Sequence, residues 1–116
     1  MNAEELILIE CYEDYVGLWS VLREIEDDWA DIGEAEARFK TLELLRKLLI
    51  EELIYAGDYD DNETFEGWKL SPKDVIERIE LEWEALGRKP NIAEIVLFTT
   101  TKKGDIAAER LIQASS

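Results

Sequence analysis

The sequence predicts a helix-rich α+β domain, about four helices joined to a two-stranded antiparallel sheet. Three observations lead there. Apolar residues recur at three- and four-residue spacing through 4–27 and 34–53. A Ser-Pro start at 71–72 and Gly87 with Pro90 bracket a further helix. Two runs rich in β-branched and aromatic residues, 54–59 and 92–101, follow stretches of turn-forming residues or lead into them. The chain has 116 residues and is 47% apolar, so residues 1–116 are read as a single domain.

Each element has its own local reason. In 4–27, Cys11, Tyr15, Leu18, Leu22 and Ile25 share a stripe, and Leu8, Tyr12 and Trp19 lie beside it. Asn2 is placed to cap this helix, with Glu4 and Glu5 at the positive end of its dipole. Leu6–Ile9 also fits a short strand, and Gly17 is the weakest helical position. The polar segment 27–33 then connects to a helix over 34–53. Its apolar face is Phe39, Leu42, Leu45, Leu49 and Leu53, and its opposite face pairs Glu36 with Lys40 and Glu43 with Lys47.

Residues 54–59 should be extended and lead into a loop over 57–67. Ser71 caps the next helix, Pro72 occupies its first position, and Gly87 ends it. Its buried side is Val75, Ile76, Ile79, Trp83 and Leu86. A strand over 92–101 follows. Thr101 is then placed to cap a last helix that runs to about Gln113.

Composition removes whole classes of function. Without histidine, no imidazole base is possible, and the serines lack an activator. Cys11 is alone, so neither an intramolecular disulfide nor a cysteine zinc cage can form. One cysteine and no leader-like segment suggest a reducing, cytoplasmic setting. No membrane span is expected, because the apolar run Leu6–Ile9 is far shorter than the ~20 residues a span needs. No enzymatic activity, metal or cofactor is expected.

The net charge of −15 is unevenly spread. Residues 1–34 carry eleven acids and one base, and 57–70 carry five acids and one lysine. Together they hold −14 of the total, because 11 − 1 = 10 and 5 − 1 = 4. Such a surface repels phosphate backbones and anionic lipid, and attracts a basic protein.

The run 41–59, TLELLRKLLIEELIYAGDY, and the run 95–110, IVLFTTTKKGDIAAER, together resemble the distal part of a winged-helix domain. In that family a helix leads into a wing strand, and a returning strand passes through a Thr-x-x-Gly turn, here Thr101 to Gly104, into a C-terminal helix. The resemblance covers roughly residues 39–112 and implies a winged-helix-like fold with a helical insertion, 72–86, in the wing. Glu52 stands where the family has a glycine. A continuous helix over 4–27 also leaves no separate helix and tight turn before the recognition helix.

DNA binding, which the resemblance implies, sits poorly with the exposed face of 34–53. Glu36, Glu43 and Glu51 intersperse Lys40 and Lys47 there. Asp58, Asp60 and Asn62 match the first three ligand positions of an EF-hand loop. Glu63 then replaces the glycine and Lys69 the final glutamate, so the loop reads as a solvated tip. The expected function is an acidic protein-interaction module, of antitoxin or immunity type, that masks a basic partner. The alternative is a winged-helix transcriptional regulator. The expected contact patch comprises Asp58, Tyr59, Asp60, Asp61, Glu63, Phe65 and Trp68, where aromatic anchors stand among steering charges. A homodimer is expected to form through Leu8, Tyr12 and Trp19.

Overall fold

The computed structural model describes residues 1–92 and 94–115. Five helices surround a four-stranded, fully antiparallel sheet: α1 (Ala3–Glu13), β1 (Val16–Gly17), α2 (Leu18–Asp28), α3 (Glu34–Ile50), β2 (Ile54–Tyr59), β3 (Phe65–Gly67), α4 (Pro72–Leu86), β4 (Leu97–Thr100) and α5 (Lys102–Ser115). The strand order is β1-β4-β2-β3, so the sheet has four strands rather than two. The pairing of β2 with β4 agrees with the sequence, and the short outer strands β1 and β3 are additions to it.

The single helix expected over 4–27 is two helices and a strand. Asn2 caps α1 as anticipated: its side chain accepts from the Glu5 amide at 2.8 Å, and the Glu5 carboxylate accepts from the Asn2 amide at 3.3 Å. The helix stops at Asp14, whose backbone is extended and whose carboxylate takes the Tyr15 amide at 2.7 Å. An aspartate that bonds its own neighbourhood competes with the helical ladder. Val16 favours a strand, and Gly17 then starts α2 from an extended conformation. Ile7, Leu8 and Cys11 of α1 and Leu18, Val21, Leu22 and Ile25 of α2 all face one core. Burial pushes the Cys11 thiol up to about 12, which makes it inert.

A turn over 29–33 joins α2 to α3, which ends at Ile50 rather than 53. Its buried arc is Ala37, Thr41, Leu45, Leu48 and Leu49, while Phe39, expected inside, is 64% exposed. Thr41 is admitted to the core because its hydroxyl donates to the Ala37 carbonyl at 2.8 Å. The helix closes with Leu53 N–H on the Leu48 carbonyl at 3.0 Å and Glu52 N–H on the Leu49 carbonyl at 3.1 Å. Glu52 sits there at φ 60, the left-handed position that glycine normally fills.

Helix α4 has the predicted boundaries. Ser71 accepts from the Asp74 amide at 3.2 Å, and Gly87 ends the helix at φ 69. It lies along α3, where Arg38 pairs with Glu84 at 3.1 Å and stacks over Trp83. The strand expected over 92–101 is confined to Leu97–Thr100, and Ala93 lies outside the described residues. Glu94 accounts for the shortening. It takes Arg88 through two oxygens at 2.8 and 2.9 Å and also the Asn91 amide, which holds the chain in a loop. Thr101 caps α5 by accepting from the Gly104 amide at 3.0 Å. Gly104 is obligatory, because a Cβ there would stand 1.9 Å from the Leu53 carbonyl oxygen.

Candidate protein-contact site

Register divides the sheet into two faces. Val16, Ile54, Ala56 and Phe98 point to the helices and are all at most 5% exposed. Tyr55, Gly57, Tyr59, Phe65, Gly67, Leu97 and Thr99 occupy the other face. There the rings gather. Phe65 is the hub: Tyr15 stacks on it at 4.7 Å, and Tyr55 meets it edge-on at 5.6 Å. Tyr59 meets Tyr15 edge-on at 5.9 Å. The three tyrosines are 41–49% exposed, so this is an aromatic cluster at the surface, outside the core.

Glycine makes the cluster possible. A Cβ on Gly57 would lie 2.3 Å from the Glu66 carbonyl oxygen and 2.6 Å from the tip of the Phe65 ring. The Phe65 ring therefore lies over bare backbone. The Tyr55 ring likewise passes 3.4 Å from where a Gly67 Cβ would be.

The acidic hairpin closes around Asp60. Its carboxylate accepts from the Asn62 and Thr64 amides, each at 2.9 Å, and its own amide donates to the Thr64 carbonyl at 2.9 Å. Glu63 completes the turn at φ 59. Asp60, expected to face a partner, thus uses one carboxylate oxygen to build the turn. Asp61 and Glu63 project from an exposed tip. Asp58 lies on the opposite parity, 3.8 Å from Arg78.

Trp68 is separated from the other aromatics. Its amide continues the ladder to the Ala56 carbonyl at 3.0 Å, which turns its side chain toward the helical side. It packs against the core under the Arg78 guanidinium, 3.7 Å from the ring centroid. The expected patch is therefore Tyr59, Phe65 and the tip acids, joined by Tyr15 and Tyr55, with Trp68 removed. Tyr55 carried a signal in its alternation with Ile54 and Ala56. Tyr15 carried none, because it reaches the hairpin only through the fold.

Of the residues expected at a dimer seam, the fold buries Leu8 and leaves Tyr12 exposed and Trp19 partly exposed. Leu8 is 4% exposed within its own chain, so it has no surface left to share. Tyr12 donates its hydroxyl to Glu109 of α5 at 3.1 Å, and that bond raises its pKa. Trp19 is partly covered by Arg23, 5.3 Å from its ring centroid. Helix α5 of the same chain packs along α1, the first part of the apolar stripe that suggested a second chain.

Among the described residues no three or more Cys, Asp or Glu side chains form a metal-binding group, and no helix is long and apolar enough to cross a membrane. Comparison with protein-family models, with curated proteins and with solved structures found no match for this chain.

Proposed function

We propose that this chain is a non-enzymatic protein-interaction module on a winged-helix-like scaffold, and that its outer sheet face takes a basic protein. One observation carries the reading: four aromatic rings lie together on a surface rimmed by acids. Exposed tyrosines give a large contact area at little entropic cost, and the acids add steering. An acidic surface of this kind suits a protein that masks a basic partner, in the manner of an antitoxin or immunity protein.

The winged-helix part of the proposal gains support from α2 and its turn. Together they supply the helix and tight connection ahead of α3 that a continuous 4–27 helix would lack. Glu52 holds the left-handed backbone of the glycine it replaces. Yet α3 is poorly equipped for DNA. Its outward residues include Glu36, Glu43, Phe39 at 64% exposure and Ile50 at 53%. Lys47 is paired with Glu4 at 3.0 Å, and Arg38 donates to the Glu84 carboxylate and the Glu80 backbone carbonyl of α4. Phosphate contacts need unpaired cations, and apolar side chains here favour a protein.

The test compares the wild-type chain with a Tyr15→Ser/Tyr59→Ser variant, both immobilised. Basic proteins should be retained by the first and released by the second, with retention falling as salt rises. Heparin retention, or duplex DNA binding that survives the double substitution, would overturn the reading in favour of a DNA-binding regulator.

A further inference from the structure

The same site has an open edge. Strand β3 ends the sheet, and β2 is its one substantial neighbour among the described residues. The phase of its hydrogen bonds follows from two observed contacts. Trp68 N–H reaches the Ala56 carbonyl at 3.0 Å, and Asp60 N–H reaches the Thr64 carbonyl at 2.9 Å. Pairs 56·68 and 60·64 are therefore hydrogen-bonded pairs, and so is Asp58·Glu66 between them. Phe65 and Gly67 fall in the alternate positions. Their N–H and C=O groups point away from β2 into the space where another strand would lie.

Other proteins blunt such an edge with lysine, proline, a bulge or a covering loop. The three residues here are Phe65, Glu66 and Gly67, so the only charge on the strand is negative. Glu66 is exposed, and the hairpin tip beside it adds Asp61 and Glu63. Two copies meeting edge to edge would bring these acids against each other. A strand carrying lysine or arginine would neutralise them. The side chains that flank the edge on the outer face are Phe65, which belongs to the aromatic cluster, and the Tyr55 ring, which lies over Gly67.

We infer that the β3 edge accepts an extended basic segment of the partner as a fifth strand, hydrogen-bonded to the backbone of Phe65 and Gly67. This rests on the proposed function and names how the partner is held there. Main-chain bonds fix the segment in place, and its alternate residues fall beside Phe65, the member of the ring cluster that lies on the edge strand. Cations on its other residues face Glu66 and the tip acids. The far end of the edge carries Lys69, so the segment's positive charge belongs at the hairpin end.

The probe is a soluble peptide of alternating lysine and threonine, about ten residues long to suit one strand. Its control alternates lysine with proline, which keeps the charge and cannot form the ladder. Binding of the first should slow hydrogen exchange at the Phe65 and Gly67 amides and leave the Asp58 amide, already within the sheet, little changed. Gly67→Pro removes one edge donor without touching a ladder bond and should weaken the peptide roughly fivefold. Glu66→Lys, which keeps every backbone group, should weaken it through charge, and the exchange comparison of the two peptides on the wild-type chain decides strand addition even where the proline variant is unstable.

Equal binding of both peptides with unchanged Phe65 and Gly67 exchange would overturn strand addition and leave the acidic aromatic surface as a contact site. Failure of the lysine–threonine peptide alongside binding of a folded basic protein has the same meaning. Failure of both probes would overturn strand addition and the underlying reading together.

Discussion

The two faces of this sheet are built from alternate residues of the same strands, yet they obey different rules. On the inner face Ile54, Ala56 and Phe98 are covered by helices and almost dry. On the outer face Tyr55, between Ile54 and Ala56, and Tyr59, three residues beyond Ala56, are still more than two-fifths exposed and meet the rings of Phe65 and Tyr15 respectively. The inner face spends its apolar area on folding. The outer face keeps aromatic area in water, which a folding criterion alone would not retain. Period-two alternation thus lets one short segment fill the core and hold aromatic rings at the surface at once.

The sharpest way to separate the faces is to truncate one ring on each. Phe98→Ala empties a fully buried site and should cost about 3–5 kcal/mol in denaturant unfolding. Tyr59→Ser should cost under about 1 kcal/mol and lower partner affinity, mainly through faster dissociation. Comparable stability losses would collapse the distinction.

Gly57 breaks the comparison from the other side. Its alanine variant pushes a methyl into the Glu66 carbonyl and the Phe65 ring, so an outer-face change should cost about 2–3 kcal/mol and disperse the cluster. Tyrosine fluorescence and chemical denaturation read the two effects together. A smaller and opposite effect is expected at the hairpin tip. Glu63→Gly relieves a left-handed glutamate and should stabilise the fold by about 1 kcal/mol, visible as a raised midpoint.

The last effect concerns β4, the strand that both faces share. Arg88 and the Asn91 amide hold Glu94 down at about 2, from an ordinary 4.5. Its stabilising contribution is therefore complete above that ordinary value and is lost as pH falls from 4.5 toward 2. Glu94→Gln should lower Tm slightly above pH 4.5, flatten the acid limb and meet the wild-type curve near pH 2. The pair is exposed, so the shift in Tm should be small.

What was legible in the sequence was local. Ser71, Pro72 and Gly87 write the limits of α4 within a few residues of chain, and Thr101 with Gly104 does so for the start of α5. The break between α1 and α2 was marked only by Gly17, the weakest helical position, because Cys11, Tyr15, Leu18 and Leu22 keep helical spacing straight across it. Both helices face one core, so the stripe survives the interruption. Strands β1 and β3 are too short to announce themselves and exist only through their partners. The acids of the hairpin were readable as a tip, and Tyr59 and Phe65 as its aromatics. Whether Trp68 lay with them depended on ladder phase, and whether Tyr15 did depended on a contact across fifty residues, since 65 − 15 = 50.

The route of the chain through the sheet also has a consequence in time. Gly57 pairs with Leu97, forty positions later by 97 − 57, with the whole of β3 and α4 in between. The hairpin and α4 can assemble from near neighbours, whereas the central ladder must close a long loop before any contact rewards it. On that ground β4 is expected to dock after the hairpin. Tyr55, Tyr59 and Phe65 are in place as soon as the hairpin forms, but Tyr15 is positioned by β1, whose strand partner is β4. The four-ring cluster is thus expected to be complete only once β1 has paired with β4, and a chain without that pairing presents a hairpin without its stacking tyrosine.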